Sequence, residues 1–276
     1  MSEPNRVPKS MTRPVGGTEY SWCRAIDGGT GIAVIALLLS RTPKLQNLQN
    51  TLDKLQIYHP TLRSNIRFDA SANSFSFVVT SAADSHVEIH PFDSVSTAQI
   101  IRDSDDPCAD PHRIILEHEM NKNTWINPHR WIKSESRVFI VSLYDLTDDG
   151  EQRILTFRLN TAAVDRTAAV TLLREFMKET AADGFGNGPV VAATETAVGL
   201  GKAIEELIPS GKGDKPFWAR GIDVLGYSLN AFRFSNLNFV DAENSNRRSQ
   251  LVRLKLDRDQ TLKLVAVSYS PHHSIN

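Results

Sequence analysis

Apolar and polar positions follow two rhythms along this chain, and the change from one to the other near residue 160 is the most informative stretch. Leu155, Phe157 and Leu159 alternate with Thr156 and Arg158, which puts three apolar side chains on one face of a strand. Val164, Ala168, Leu172 and Phe176 then recur every four residues, with Ala169 and Leu173 beside them. That is the buried stripe of a helix running to about residue 181. Between strand and helix lie Asn160, Thr161 and Asp165. A strand end feeding a helix start is a common place for chemistry in α/β proteins. Taken alone, the segment favours a simpler role for Asp165, as a helix cap that accepts a backbone N–H and meets the positive end of the dipole.

Upstream, residues 1 to about 12 read as a flexible tail, and glycines between Arg13 and Thr30 place turns around residues 20–26. Residues 31–39 form a continuous apolar run, read as a strand buried on both faces. Pro43 marks a helix start; Leu45, Leu48, Leu52 and Leu55 form its stripe, and it ends before Pro60. Residues 66–68 and 74–80 are short strands joined by a turn-rich segment, and 86–90 is a third. A helix over 94–102 would turn Val95, Ala98 and Ile101 inward. An acidic loop (103–110), a helix (111–121), a break at 125–128, an apolar strand (138–144) and an acidic turn (146–151) follow. Beyond the central segment come a Gly-rich connector (182–189) and a helix (194–208) with Ala197, Leu200, Ile204 and Leu207 on one side. A polar loop (209–216) leads to a helix (217–229) weakened by Gly221 and Gly226. Strands at 231–240 and 250–256 and a helix over 257–267 complete the pattern. Strands mixed with helices throughout predict an α/β (α+β) class, a mixed β-sheet flanked by helices.

Composition narrows the classes. The 276 residues suffice for one large domain or two smaller ones. Apolar residues at 41% and charged residues at 23% fit a soluble globular chain, not a disordered one. A formal net charge of −1 supplies no global field to attract nucleic acid or an anionic membrane. The longest apolar run is too short to span a bilayer, and the first dozen residues lack a secretory h-region. Cys23 and Cys108 imply no disulfide framework and suit a reducing compartment, so the expected location is cytoplasmic.

Several motifs fail on chemistry. The glycines at 28, 29 and 31 precede a strand and lack a following Gly-Lys-Ser/Thr, so they read as a turn. Gly199-Leu200-Gly201-Lys202 lacks the first glycine and the magnesium ligand of a phosphate loop. Glu117-His118-Glu119 has no further ligand at Ile114 or Lys122, so a solvated helix face is expected and no metal site. His272-His273 reads as tail, and basic residues do not cluster with aromatics as nucleic-acid binding requires. Trp22, Trp125, Trp131 and Trp218 are scattered and read as core.

Three separated pieces together resemble one family. Tyr58-His59-Pro60-Thr61-Leu62-Arg63 after an amphipathic helix resembles the His-Pro-x-Leu-Arg signature of condensation domains and related acyltransferases. That superfamily has the chloramphenicol-acetyltransferase-like fold and includes the plant BAHD-type enzymes. Its strand ending in His-His-x-x-x-Asp-Gly reads here Asn160-Thr161-Ala162-Ala163-Val164-Asp165-Arg166. The aspartate matches; both histidines and the glycine do not. Residues 247–256, then Thr261-Leu262, resemble the strand and helix that open the family's second lobe.

The resemblance implies an N-terminal lobe over 13–256, with 257–276 as the truncated start of a second lobe plus a non-native tail. It also implies acyl transfer from a thioester, with acyl-CoA as co-substrate and no bound cofactor. The partners would be a small-molecule acyl donor and an alcohol or amine acceptor, with self-association through an uncovered lobe face and no nucleic acid or membrane. In the family the second histidine is the general base and the aspartate is structural. Thr161 stands where the base should be, and its hydroxyl cannot take a proton near neutral pH. Losing that assistance costs typically ~10²–10⁴-fold in rate. The motif positions Asn160, Thr161 and Asp165 are therefore the candidate site, in a protein expected to be catalytically impaired. The alternative is a non-catalytic binding or scaffold protein on the same fold. A hydrolase using His59, His86, His90, His112, His118 or His129 has no nucleophile motif to support it.

Overall fold

The computed structural model describes residues 11–26, 30–39, 44–81, 86–122, 135–182, 200–209, 221–222, 225–226 and 248–268. Its strands are β1 (Met11–Pro14), β2 (Ile32–Leu39), β3 (Ser64–Asp69), β4 (Ser74–Val79), β5 (Ile89–Phe92), β6 (Glu135–Arg137), β7 (Phe139–Asp145) and β8 (Arg153–Asn160). The helices are α1 (Gly17–Ala25), α2 (Leu45–Tyr58), α3 (Ser94–Arg102), α4 (Pro111–Asn121), α5 (Arg166–Ala182), the single turn α6 (Ile204–Leu207) and α7 (Arg258–Ser268). A 3-10 turn, Pro60–Arg63, follows α2.

The strands form two four-stranded sheets, ordered β1-β4-β3-β6 and β2-β8-β7-β5. The first is antiparallel throughout. The second is mixed, because β5 runs parallel to β7 while β8 is antiparallel to both β2 and β7. The class is thus α/β, with helices flanking the sheets, as the alternation of elements predicts. Among the described residues no helix is long and apolar enough to cross a membrane.

The period-2 pattern of β8 divides its sheet into two faces. Leu155, Phe157 and Leu159 enter the main core with Val141 and Leu143 of β7, Leu48, Leu52 and Leu55 of α2, and Leu172 and Phe176 of α5. Phe157 meets Phe139 and Phe176 edge-on, with ring centroids 5.5 and 5.0 Å apart. Such pairs add about 0.5–1.5 kcal/mol beyond their buried area. The other face carries Thr156 and Arg158, with Ile154 and Tyr144 packed against Ile115 of α4. Turns take the residues their geometry demands: Asn73 (φ 46°) joins β3 to β4, and Gly150 (φ 66°) joins β7 to β8. Asp93 and Asp110 cap α3 and α4, accepting the Ser96 and His112 amides at 2.7 and 3.1 Å.

Several expectations are corrected. The run at 31–39 is not buried on both faces: β2 is a sheet edge, and Leu38 is 59% exposed. Ala168 faces water, because α5 starts at Arg166 and its inner stripe is Ala169, Leu172 and Phe176. On α3 the buried residue is Thr97, with Ile100 against the core, while Val95 is exposed. The strand predicted at 250–256 pairs with no described strand, so its apolar alternation builds no ladder. Residues 200–203 are not helical, and both Ile204 and Leu207 are exposed. The first strand begins at Met11, inside the stretch read as tail. The connector at 183–189, the start of the 194–208 helix with Ala197, the loop at 210–216, most of 217–229, the strand at 231–240, the break at 125–128, and Trp125, Trp131, His129, Trp218, His272 and His273 lie outside the described residues.

Candidate functional site

β8 ends at Asn160, and the chain turns through 161–165 before α5 begins. The turn is held by backbone bonds. The Thr161 amide donates to the Gly31 carbonyl at 2.9 Å, and the Asn160 carbonyl accepts from the Ala163 and Val164 amides at 3.0 Å each. Gly31 has φ +77°, and a Cβ there would lie 2.9 Å from the Trp22 carbonyl oxygen, so only glycine fits beside this turn. Asn160 is fully buried, and its Oδ1 accepts from the Ala162 amide at 2.9 Å. Among the described residues its Nδ2 is buried without a hydrogen-bond partner, and so is the adjacent Thr161 Oγ1. Asp165 is exposed; its Oδ1 accepts the Ala168 amide at 2.7 Å, which makes it the N-cap of α5.

The three motif residues therefore lie together at the strand end, with different duties. Asp165 caps. Asn160 and Thr161 present an amide and a hydroxyl whose polar atoms are out of water and unbonded, a state that costs about 1–3 kcal/mol per group in a finished fold. Two cavities, of about 420 and about 40 Å³, are lined by described residues, and neither includes these three. The His-Pro-x-Leu-Arg segment is tied to the same helix: His59 Nε2 lies 2.5 Å from Glu175 Oε2 on α5. The first of the segments that carry the resemblance thus touches the helix that follows the second.

A second polar cluster lies on the charged face of the β2-β8-β7-β5 sheet. Arg158 is 1% exposed and Glu119 of α4 is 0% exposed, with Arg158 Nη2 3.4 Å from Glu119 Oε2. The Tyr144 hydroxyl donates to Glu119 Oε1, and Arg158 Nη1 donates to the Lys122 carbonyl. Phe92 stacks on Tyr144 with centroids 4.4 Å apart. Burial, reinforced by the Glu119 charge, pushes the Tyr144 hydroxyl well above its usual range. Burial also lowers Arg158, Lys122 and His118, with Glu119 opposing the shift in each case. Glu119 is thus no solvated helix residue. It falls four places after Ile115, on the buried side of α4, and that spacing is the signal that could have located it. Cys23 is buried, which pushes its thiol up to about 12 and leaves it unreactive.

No protein-family model matches the chain, and no curated protein does. Solved structures with a similar fold include a mutant starter condensation domain of the rhizomide synthetase, at 12% identity and a TM-score of 0.48 over 82% of this chain and 49% of that one. The condensation domain of the monacolin K polyketide synthase matches at 10% identity and 0.44, over 63% and 35%. Polyketide synthase associated protein 5 from Mycobacterium tuberculosis matches at 12% identity and 0.40, over 64% and 34%. The chain spans less than half the length of each.

Proposed function

We propose that this protein belongs to the acyltransferase superfamily of condensation domains and BAHD-type enzymes, and holds an acyl thioester at a motif loop that lacks the general base. The observation that carries the reading is the turn after β8. It offers a buried amide and a buried hydroxyl with no partners among the described residues, next to an aspartate whose carboxylate is committed to capping, and no histidine at either motif position. Those donors are closed off from solvent in this conformation, so a thioester carbonyl would reach them only once the turn opens; it would then take them up, as carbonyl-polarising donors do in acyl transfer. Proximity alone would then drive slow transfer to an alcohol or amine. Exposed Val252 and Leu254, at 76% and 85%, with Leu262 and Leu264, support a second lobe or a second copy covering the segment at 252–264.

The test is incubation with acyl-CoA and a panel of alcohols and amines, following free thiol. Thr161→His should raise thiol release by on the order of 10²-fold or more, since it restores a base to the motif position. CoA thioester binding without any gain in the variant would favour the scaffold reading. No binding in either form would defeat the acyltransferase reading.

A further inference from the structure

On the charged face of the same sheet, α3, α4 and the segment at Arg248 enclose the cavity of about 420 Å³, within the range of small-molecule sites. Ile100 and Ile114 give it apolar walls, and His118 and Lys122, one helical turn apart, line it together. Much of the remaining polar lining is already engaged. Asn121 Nδ2 donates to the Glu117 and Ser249 carbonyls at 2.8 Å each, and its Oδ1 accepts the Ser249 amide at 2.7 Å. Glu117 Oε1 accepts from Arg113 and from the Leu251 amide at 3.0 and 2.8 Å. Arg248 donates to both Asp105 oxygens at 2.7 Å.

Two groups are different. Among the described residues the His118 Nε2 is buried with no hydrogen-bond partner, and its ring makes an edge contact with Tyr144 at 6.3 Å. The Lys122 ammonium rests over the Phe92 ring at 4.8 Å and has no ion-pair partner among the described residues. A neutral imidazole and an unpaired ammonium beside two isoleucines are complementary to one kind of ligand. We propose that this cavity binds a short-chain carboxylate, its carboxyl group held between Lys122 and His118 and its hydrocarbon against Ile100 and Ile114. The site is separate from the Thr161 loop, so its test is independent of acyl transfer.

Binding has a proton signature. The charged and titratable groups around the His118 ring and its cavity are Glu117, Glu119 and Lys122 from α4, Arg158 and the Tyr144 hydroxyl from the sheet, and Arg248 and Asp103 across the cavity. Burial, opposed by Glu119 and helped by Lys122, Arg158 and Arg248, favours the neutral ring. An added carboxylate favours the imidazolium, so binding takes up a proton and tightens as pH falls from about 8 to about 6.

The experiment is a titration of the full chain with butyrate, butyramide, butylamine and inorganic phosphate, read by the His118 imidazole NMR signals and by isothermal calorimetry in two buffers. Expected are saturable butyrate binding with proton uptake, at least about tenfold weaker binding of the other three, and at least about tenfold loss in Lys122→Met, a change of about 1.4 kcal/mol. Equal binding of butyramide, butylamine or phosphate would overturn the proposal, as would an unperturbed His118 or a Lys122→Met variant that binds butyrate like the parent. Should Lys122→Met fail to fold, the butyrate-to-butylamine ratio in the parent decides.

Discussion

The two faces of the β2-β8-β7-β5 sheet are built from alternate residues of the same strands, yet they hold by opposite means. On one, Phe157 and its neighbours meet α2 and α5 through apolar contact alone. On the other, Arg158 and Tyr144 of the sheet meet Glu119 of α4 and the Lys122 carbonyl at its end, with both charges of the ion pair buried. Apolar burial stabilises in proportion to area and tolerates inexact partners. A buried ion pair first costs the desolvation of both charges, and holds only while every member is present. On one face the cost of a lost atom scales with the volume it leaves empty, and on the other it depends on which partners remain.

The largest test of this contrast removes one member from each face. Arg158→Met should destabilise by about 3–5 kcal/mol in urea unfolding, because Glu119 is left buried and uncompensated. The triple variant Arg158→Met, Glu119→Leu, Tyr144→Phe should recover most of that loss, since an apolar set of similar volume needs no pairing. A triple variant no better than the single would mean that the charged face is held by packing instead. Phe157→Ala should cost a comparable ~3–5 kcal/mol by opening a cavity between Phe139 and Phe176. No companion change on the apolar face should restore it as fully, apart from one that refills the volume.

The smallest effect is in pH. Burial depresses the His118 pKa below its ordinary 6.5, so the fold favours the neutral ring. That contribution is present above the unfolded value and is lost as pH falls through the lower folded value. Acidification below about pH 6.5 should therefore erode stability, and His118→Gln should flatten that part of the curve. Phe157→Ala should lower the whole curve without changing its slope there, which denaturation at a series of pH values would read directly.

The apolar face was legible because a period-2 strand and a helical stripe state their own partners: Leu155, Phe157, Leu159, Leu172 and Phe176 all pack where the pattern puts them. The charged face was not. Alternation assigns Arg158 to the second side of a strand but cannot say whether water or a helix covers it. Glu119 was read with Glu117 and His118 as a wet face, although its spacing from Ile115 puts it inside. The candidate turn was located by its strand-to-helix junction, and the capping role of Asp165 follows from residue type and position. The partnerless atoms of Asn160 and Thr161 arise from tertiary placement and leave no trace in composition or spacing. The apolar alternation at 250–256 shows the converse, since a strand needs another's edge and among the described residues none pairs with it.

One of that sheet's two flanks closes itself. β5 is an outer strand of four residues, and Pro91 within it has no N–H to offer a newcomer. The eight-residue β2 on the opposite flank has no proline, and no described strand pairs with its outer side. Among the described residues this sheet thus offers an intermolecular ladder a single usable flank, and a single flank closes on itself in a pair of chains where two would permit open-ended fibres.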